Sequence, residues 1–172
     1  DYLEPLDIAT AKDGDVPLYH TISFDRLQRY QVLKQPDVLM YMALRPECFS
    51  DTEVRAAWAY YEPRTLHDST LSFGIHALLA ARYGFARATE YFEKSLFLDL
   101  KNIMGNTANE GIHTAALGAT WQAMVLGFGG LEERGGALHV SDHLPETLTA
   151  MRYRVQWHGT RYEIRLRRGE AP

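Results

Sequence analysis

IHTAALGATWQAMVLGFGG, residues 112–130, divides the chain into two kinds of sequence. Its first sixteen residues are nearly all apolar or small and contain no proline, which predicts a helix over about 112–127, deeply buried because it is apolar all round. At Gly127 the pattern changes. Gly127, Gly129, Gly130, Gly135 and Gly136 punctuate short runs, and Leu138-His139-Val140 reads as a strand. Met151 to Trp157 alternates apolar and polar, His158-Gly159-Thr160 turns, and Tyr162 to Leu166 alternates again. That is a β-hairpin with one wet face.

Working back from residue 112, the signals are helical. Asn102 to Gly111 is a polar loop, preceded by an amphipathic segment over about 86–100. A helix carrying Leu71, Ile75, Leu78 and Leu79 stops at Gly84, with His67-Asp68-Ser69-Thr70 as its expected caps. Ser50-Asp51-Thr52-Glu53 is a capping box for a helix over about 51–61, which Pro63 ends. Helical spacing begins near Arg26, and Pro36 marks a kink or a fresh helix start just after Lys34-Gln35. Residues 1–25, with Pro5, Gly14, Pro17 and five aspartates, read as a connecting arm. The chain is therefore mainly α, with helices over 26–128 and a small antiparallel β unit over 129–172.

Hydrophobic residues make up 46% and charged residues 23%, so a core can form and disorder is excluded. A net charge of −4 offers no electrostatic capture of nucleic acid or acidic membrane. The cluster Arg161, Arg165, Arg167 and Arg168 is interleaved with carboxylate and reads as a solvated face. A single cysteine forbids an intrachain disulfide; Cys48, in Arg45-Pro46-Glu47-Cys48-Phe49, has no basic activating cluster and reads as a packing thiol. No apolar run reaches the roughly 18 residues of a membrane span. The opening Asp1-Tyr2-Leu3-Glu4-Pro5 has no leader character, and the chain does not start with Met. A cytoplasmic piece of a longer protein is expected.

Metal-ligand spacings, a Walker loop and a dinucleotide fingerprint are all missing from the sequence. What remains is a pair of similar helix starts. His67-Asp68-Ser69-Thr70-Leu71-Ser72 and Asn109-Glu110-Gly111-Ile112-His113-Thr114 each offer hydroxyls and a histidine at the positive end of a helix dipole. If the two converge they can hold an anion such as phosphate; equally, the hydroxyls can simply cap their helices. Lys34-Gln35 places a charged donor beside an amide, a pair suited to sugar hydroxyls or to nothing beyond a surface helix start. Glu62 and Glu110 lie just before the two helix starts.

Five blocks occur in one order: Lys34-Gln35-Pro36-Asp37-Val38, Tyr60 to Ser72, Gly105-Asn106-Thr107, Glu110 to Ala115, and Leu117 to Gln122. Together they resemble glycoside hydrolase family 65, which holds maltose, trehalose and kojibiose phosphorylases and some hydrolases. The resemblance covers about residues 25–167. It implies the last part of an (α/α)6 barrel followed by the family's C-terminal β unit. It further implies inverting phosphorolysis of an α-glucosidic disaccharide to glucose 1-phosphate and a released sugar, with phosphate as co-substrate and no metal or organic cofactor. Lys34 and Gln35 match the contacts to the glucosyl unit, Ser69 and Thr70 the paired hydroxyls of the phosphate loop, and His113 its phosphate-binding histidine. The general acid is a glutamate upstream of this chain, so no catalytic residue is assigned within it. A homodimer is compatible with the family, and the remainder of the barrel is an expected partner.

Four positions depart from the family pattern: Thr70 stands for serine, Pro36 for alanine, Leu66 for a small polar residue and Ala116 for serine. These bear on substrate choice. A family hydrolase would need a carboxylate to activate water, for which Glu62 is the candidate. A non-catalytic helical module is the third reading, and its incomplete barrel would leave apolar faces uncovered.

Overall fold

A computed structural model describes residues 3–169. Asp1, Tyr2 and residues 170–172, which the arm and the β unit include, lie outside them. Among the described residues, five helices have eight or more residues: α1 Asp37–Leu44, α2 Asp51–Tyr61, α3 Ser72–Tyr83, α4 Ala88–Leu96 and α5 Thr114–Gln122. The last continues as one π-helical stretch, Ala123–Phe128. Four strands follow: β1 Leu131–Arg134, β2 Ala137–Val140, β3 Ala150–Trp157 and β4 Thr160–Arg167.

The capping box forms as expected. The Glu53 amide donates to Ser50 Oγ at 3.3 Å, and the Ser50 amide donates to Glu53 Oε2 at 2.8 Å. Helix α3 is the hub: every residue from Ser72 to Ala81 is buried, and Gly84 in the left-handed region ends it. Around it pack Leu39, Met42 and Ala43 of α1, Val54 of α2, Tyr91 of α4, and Ala116 and Ala123 from α5 and its continuation. The spacing of these residues, three or four apart within α1, is the buried stripe of an amphipathic helix.

Contacts along α3 and α5 fix their relative direction. A Cβ on Gly74 would sit 2.6 Å from Ala119 Cβ, and one on Gly127 would sit 3.2 Å from Leu78 Cα. Both chains advance together between these contacts, so the two helices run parallel and begin at the same end. Helix α4 runs against them, since Ser95 near its end also meets Gly74. A hydrogen bond of 2.6 Å between the buried hydroxyls of Ser95 and Thr120 joins α4 to α5.

The strands form two separate two-stranded antiparallel sheets, β1–β2 and β3–β4. In the second, Ala150 pairs with Arg167 and Trp157 with Thr160. That register leaves a two-residue loop, His158-Gly159, with φ of 46° and 78°. Two successive positive φ values define a type I′ turn, which matches strand twist and explains glycine at the second position. Tyr153 anchors the hairpin by donating to Gly129 O at 2.7 Å.

Several expectations are corrected. Residues 28–36 are not helical: Leu33 forms a parallel bridge with Thr65, a long-range pairing that overrides local helical spacing. Helix α4 stops at Leu96 and turns follow it. The expected helix over 112–127 starts only at Thr114, and it is buried on one side only, with Leu117 and Trp121 exposed at 46% and 49%; Ile112 before it is 68% exposed. Cys48 is exposed, at the end of a 3-10 turn, and does not pack. Among the described residues, the stretch up to Leu27 holds three short helical turns, Ile8–Ala11, Leu18–His20 and Phe24–Leu27, and Leu18 and Leu27 are buried with Leu66 in a second small core.

Candidate functional site

The predicted residues collect around the end where α3 and α5 start. Leu33 and Lys34 run beside residues 64–68. The Leu33 amide donates to Arg64 O at 2.9 Å, the Leu66 amide to Leu33 O at 2.7 Å and the Asp68 amide to Lys34 O at 3.1 Å. Lys34 is thereby tied through main chain to the residue that precedes Ser69-Thr70. Its Nζ stands 5.8 Å from the Tyr19 ring and 5.6 Å from the Phe24 ring, within cation–π reach. Gln35 donates to Asp37 Oδ1 at 2.9 Å, which orients its amide at the start of α1.

Asp68, expected only as part of a helix cap, holds this corner together. It is 2% exposed. Its Oδ1 accepts from Lys12 Nζ at 2.7 Å and its Oδ2 from the Leu18 amide at 2.7 Å. Lys12 also donates to Leu66 O. The arm is therefore latched onto the turn that carries the hydroxyls. Nothing local in sequence signals a pairing across more than fifty residues.

Ser69 and Thr70 do not cap α3. Its N-cap is Leu71, with no side-chain cap bond, and the Ser69 hydroxyl accepts only a long 3.4 Å contact from the Leu71 amide. Both residues are half-buried. His67 adopts φ 55° just before them, and its Nδ1 meets Ser72 Oγ at 2.8 Å. Burial, with His76 and several cations nearby, lowers its pKa to about 2, so it is a neutral hydrogen-bonding ring. Burial likewise lowers His76 to about 4.

His113 occupies the N-cap position of α5, again with no side-chain cap bond. Asp99, just beyond the end of α4, grips it twice: Oδ2 accepts from the His113 amide at 2.8 Å and Oδ1 faces Nδ1 at 2.6 Å. Thr107 adds a hydroxyl donor to Asp99 at 3.2 Å. The far nitrogen, Nε2, lies 3.4 Å from Glu110 Oε2. The hydrogen bond to Asp99 raises the His113 pKa above 6.5, against the opposing effect of desolvation. A cationic imidazole at a helix start is an electrostatic partner for an anion.

Glu62 is already engaged elsewhere. Its Oε1 accepts from the Tyr91 hydroxyl at 2.5 Å and from Arg87 Nη1 at 3.2 Å, which fixes the end of α2 to α4. A concavity of about 1070 Å³ opens at the other end of α3, between Arg82, Tyr83, Arg55 and Glu132, and none of the predicted residues lines it. Among the described residues no cluster of three or more His, Cys, Asp or Glu has the geometry of a metal site, and no helix is long and apolar enough to cross a membrane.

Comparison with known proteins follows the same division as the fold. Residues 2–122 match the glycosyl hydrolase family 65 central catalytic domain, and residues 131–171 match the family's C-terminal domain. The chain belongs to glycosyl hydrolase family 65. It is 38% identical to a kojibiose phosphorylase of Halothermothrix orenii over 94% of its length, and 34% identical to an α,α-trehalose phosphorylase of Thermoanaerobacter brockii over 96%. It spans 21% of each of those proteins, about one fifth of their length. A solved structure from the human microbiome, provisionally assigned as a kojibiose phosphorylase, superposes with a TM-score of 0.86 at 35% identity, covering 96% of this chain and 24% of that one. The helical portion is thus part of an (α/α)6 barrel, followed by the β unit. The exposed apolar side chains of α5 fit a barrel whose other helices lie outside this chain.

Proposed function

We propose that the protein containing this chain is an inverting disaccharide phosphorylase acting on an α-glucosidic bond, with inorganic phosphate as co-substrate and no metal or organic cofactor. Phosphate oxygen attacks the anomeric carbon from the face opposite the leaving oxygen. The glycosidic C–O bond breaks, and a general acid from outside this chain gives its proton to that oxygen. Glucose 1-phosphate and a free sugar result. Ser69, Thr70 and His113 hold the phosphate, while Lys34 and Gln35 receive hydroxyls of the glucosyl unit.

One observation carries the reading: α3 and α5 start at the same end, neither is capped by a side chain, and the histidine at the second start is held with a raised pKa. Hydroxyls spent on capping would have favoured the structural alternative. The test is to assay the full-length protein with and without phosphate on kojibiose, trehalose and maltose. Glucose 1-phosphate that appears only with phosphate, and is lost in His113→Ala, supports the reading. Full-rate hydrolysis without phosphate, or an unimpaired His113→Ala variant, contradicts it.

A further inference from the structure

We propose that two carboxylates tune the anion affinity of His113 in opposite senses: Asp99 positions the ring, and Glu110 is an internal competitor seated where a phosphate oxygen would accept. The inference rests on the assignment of His113 to phosphate. A carboxylate accepts only, so the 2.6 Å contact with Asp99 Oδ1 requires a proton on Nδ1. The second contact, from the His113 amide to Asp99 Oδ2, fixes backbone and ring together. Nε2 is thereby left as the one ring position open to a ligand.

That position is taken by Glu110. Its Oε2 lies 3.4 Å from Nε2, at the long limit of a hydrogen bond, and is also held by Asn106 Nδ2 at 2.8 Å. The two carboxylates differ in setting. The Asp99 side chain is 10% exposed, whereas that of Glu110 is 63% exposed at the end of the turn Thr107–Glu110. The first is built in; the second is free to swing away. Both ring nitrogens face carboxylates, which favours the imidazolium form of His113, and no Lys or Arg pairs with either acid among the described residues. An arriving phosphate therefore exchanges one anion for another at Nε2. Glu110 satisfies the cation while the site waits.

Opposite signs distinguish this from a structural role. In the full-length protein, inorganic phosphate binding is followed by thermal shift, and the phosphate KM and kcat are measured across pH. Glu110→Gln removes the competing charge and lowers the phosphate KM about two- to fivefold, the worth of one exposed ion pair. Asp99→Asn raises it roughly tenfold and moves the alkaline limb of kcat/KM to lower pH, because the imidazolium loses its buried partner; Asp99→Glu recovers part of the loss. An unchanged or raised KM in Glu110→Gln overturns the competitor role, and because this side chain is exposed the variant keeps its fold. If His113→Ala retains wild-type phosphate affinity, the phosphate assignment itself falls, and this inference with it; loss in His113→Ala with no change in Glu110→Gln removes the inference alone.

Discussion

Asp68→Ala is the most informative single change to the scaffold. The Asp68 and Lys12 side chains are 1% and 8% exposed, so solvent screens their 2.7 Å ion pair little. Removing the carboxylate strips Lys12 of its counter-charge and leaves the Leu18 amide without its acceptor. Breaking a buried pair from one side costs about 3–5 kcal/mol. The loss falls on the arm, which this latch holds to the body together with the small core of Leu18, Leu27 and Leu66 and the 2.8 Å ion pair of Asp15 with Lys94. Hydrogen exchange of the full-length protein reads it locally: peptides spanning residues 12–22 should exchange roughly a hundred- to a few-thousand-fold faster, the same free energy expressed as a ratio. Lys12→Met/Asp68→Leu should restore part of the protection, since an apolar pair carries no stranded charge, although the Leu18 amide still lacks its acceptor. Unaltered exchange in residues 12–22 of Asp68→Ala would refute the latch.

Other outcomes follow from the same geometry. Gly74→Ala would gain about 1 kcal/mol of helix propensity, but its methyl lands 2.6 Å from Ala119 Cβ, and overpacking of about 1–3 kcal/mol should leave the variant less stable by thermal denaturation; a raised midpoint would show that α5 yields. Ser50→Ala loses the acceptor of the Glu53 amide and should destabilise by about 1 kcal/mol in urea unfolding, with Ser50→Gly milder. Folding raises the His113 pKa, so its pairing with Asp99 stabilises fully below pH 6.5 and is lost as pH rises through the higher folded value. An NMR titration should show this imidazole titrating above 6.5 in wild type and lower in Asp99→Asn; the reverse order would contradict the assigned cause.

What the sequence made legible was local. The Ser50 capping box, the Gly84 stop and the hairpin turning at His158-Gly159 each depend on neighbours within a few residues, and each stands where the spacing put it. The stretch 28–36 misled because its partner is Thr65, far along the chain. The apolar residues of α5 promised deep burial on every side, yet Leu117 and Trp121 lie on a face turned away from α3 and α4. The resemblance named Lys34, Gln35, Ser69, Thr70 and His113, and the fold gathers them near one end of α3 and α5. It did not name Asp68 or Asp99, the carboxylates that hold those residues, because each acts across a loop and neither has a short-range signature.

The most direct measurement is a crystal structure of the full-length protein grown with inorganic phosphate. The account predicts one phosphate within hydrogen-bond distance of Ser69 Oγ, Thr70 Oγ1 and His113 Nε2, with Glu110 swung off the ring. Phosphate bound away from these three groups, or Ser69 and His113 facing separate surfaces, would contradict it.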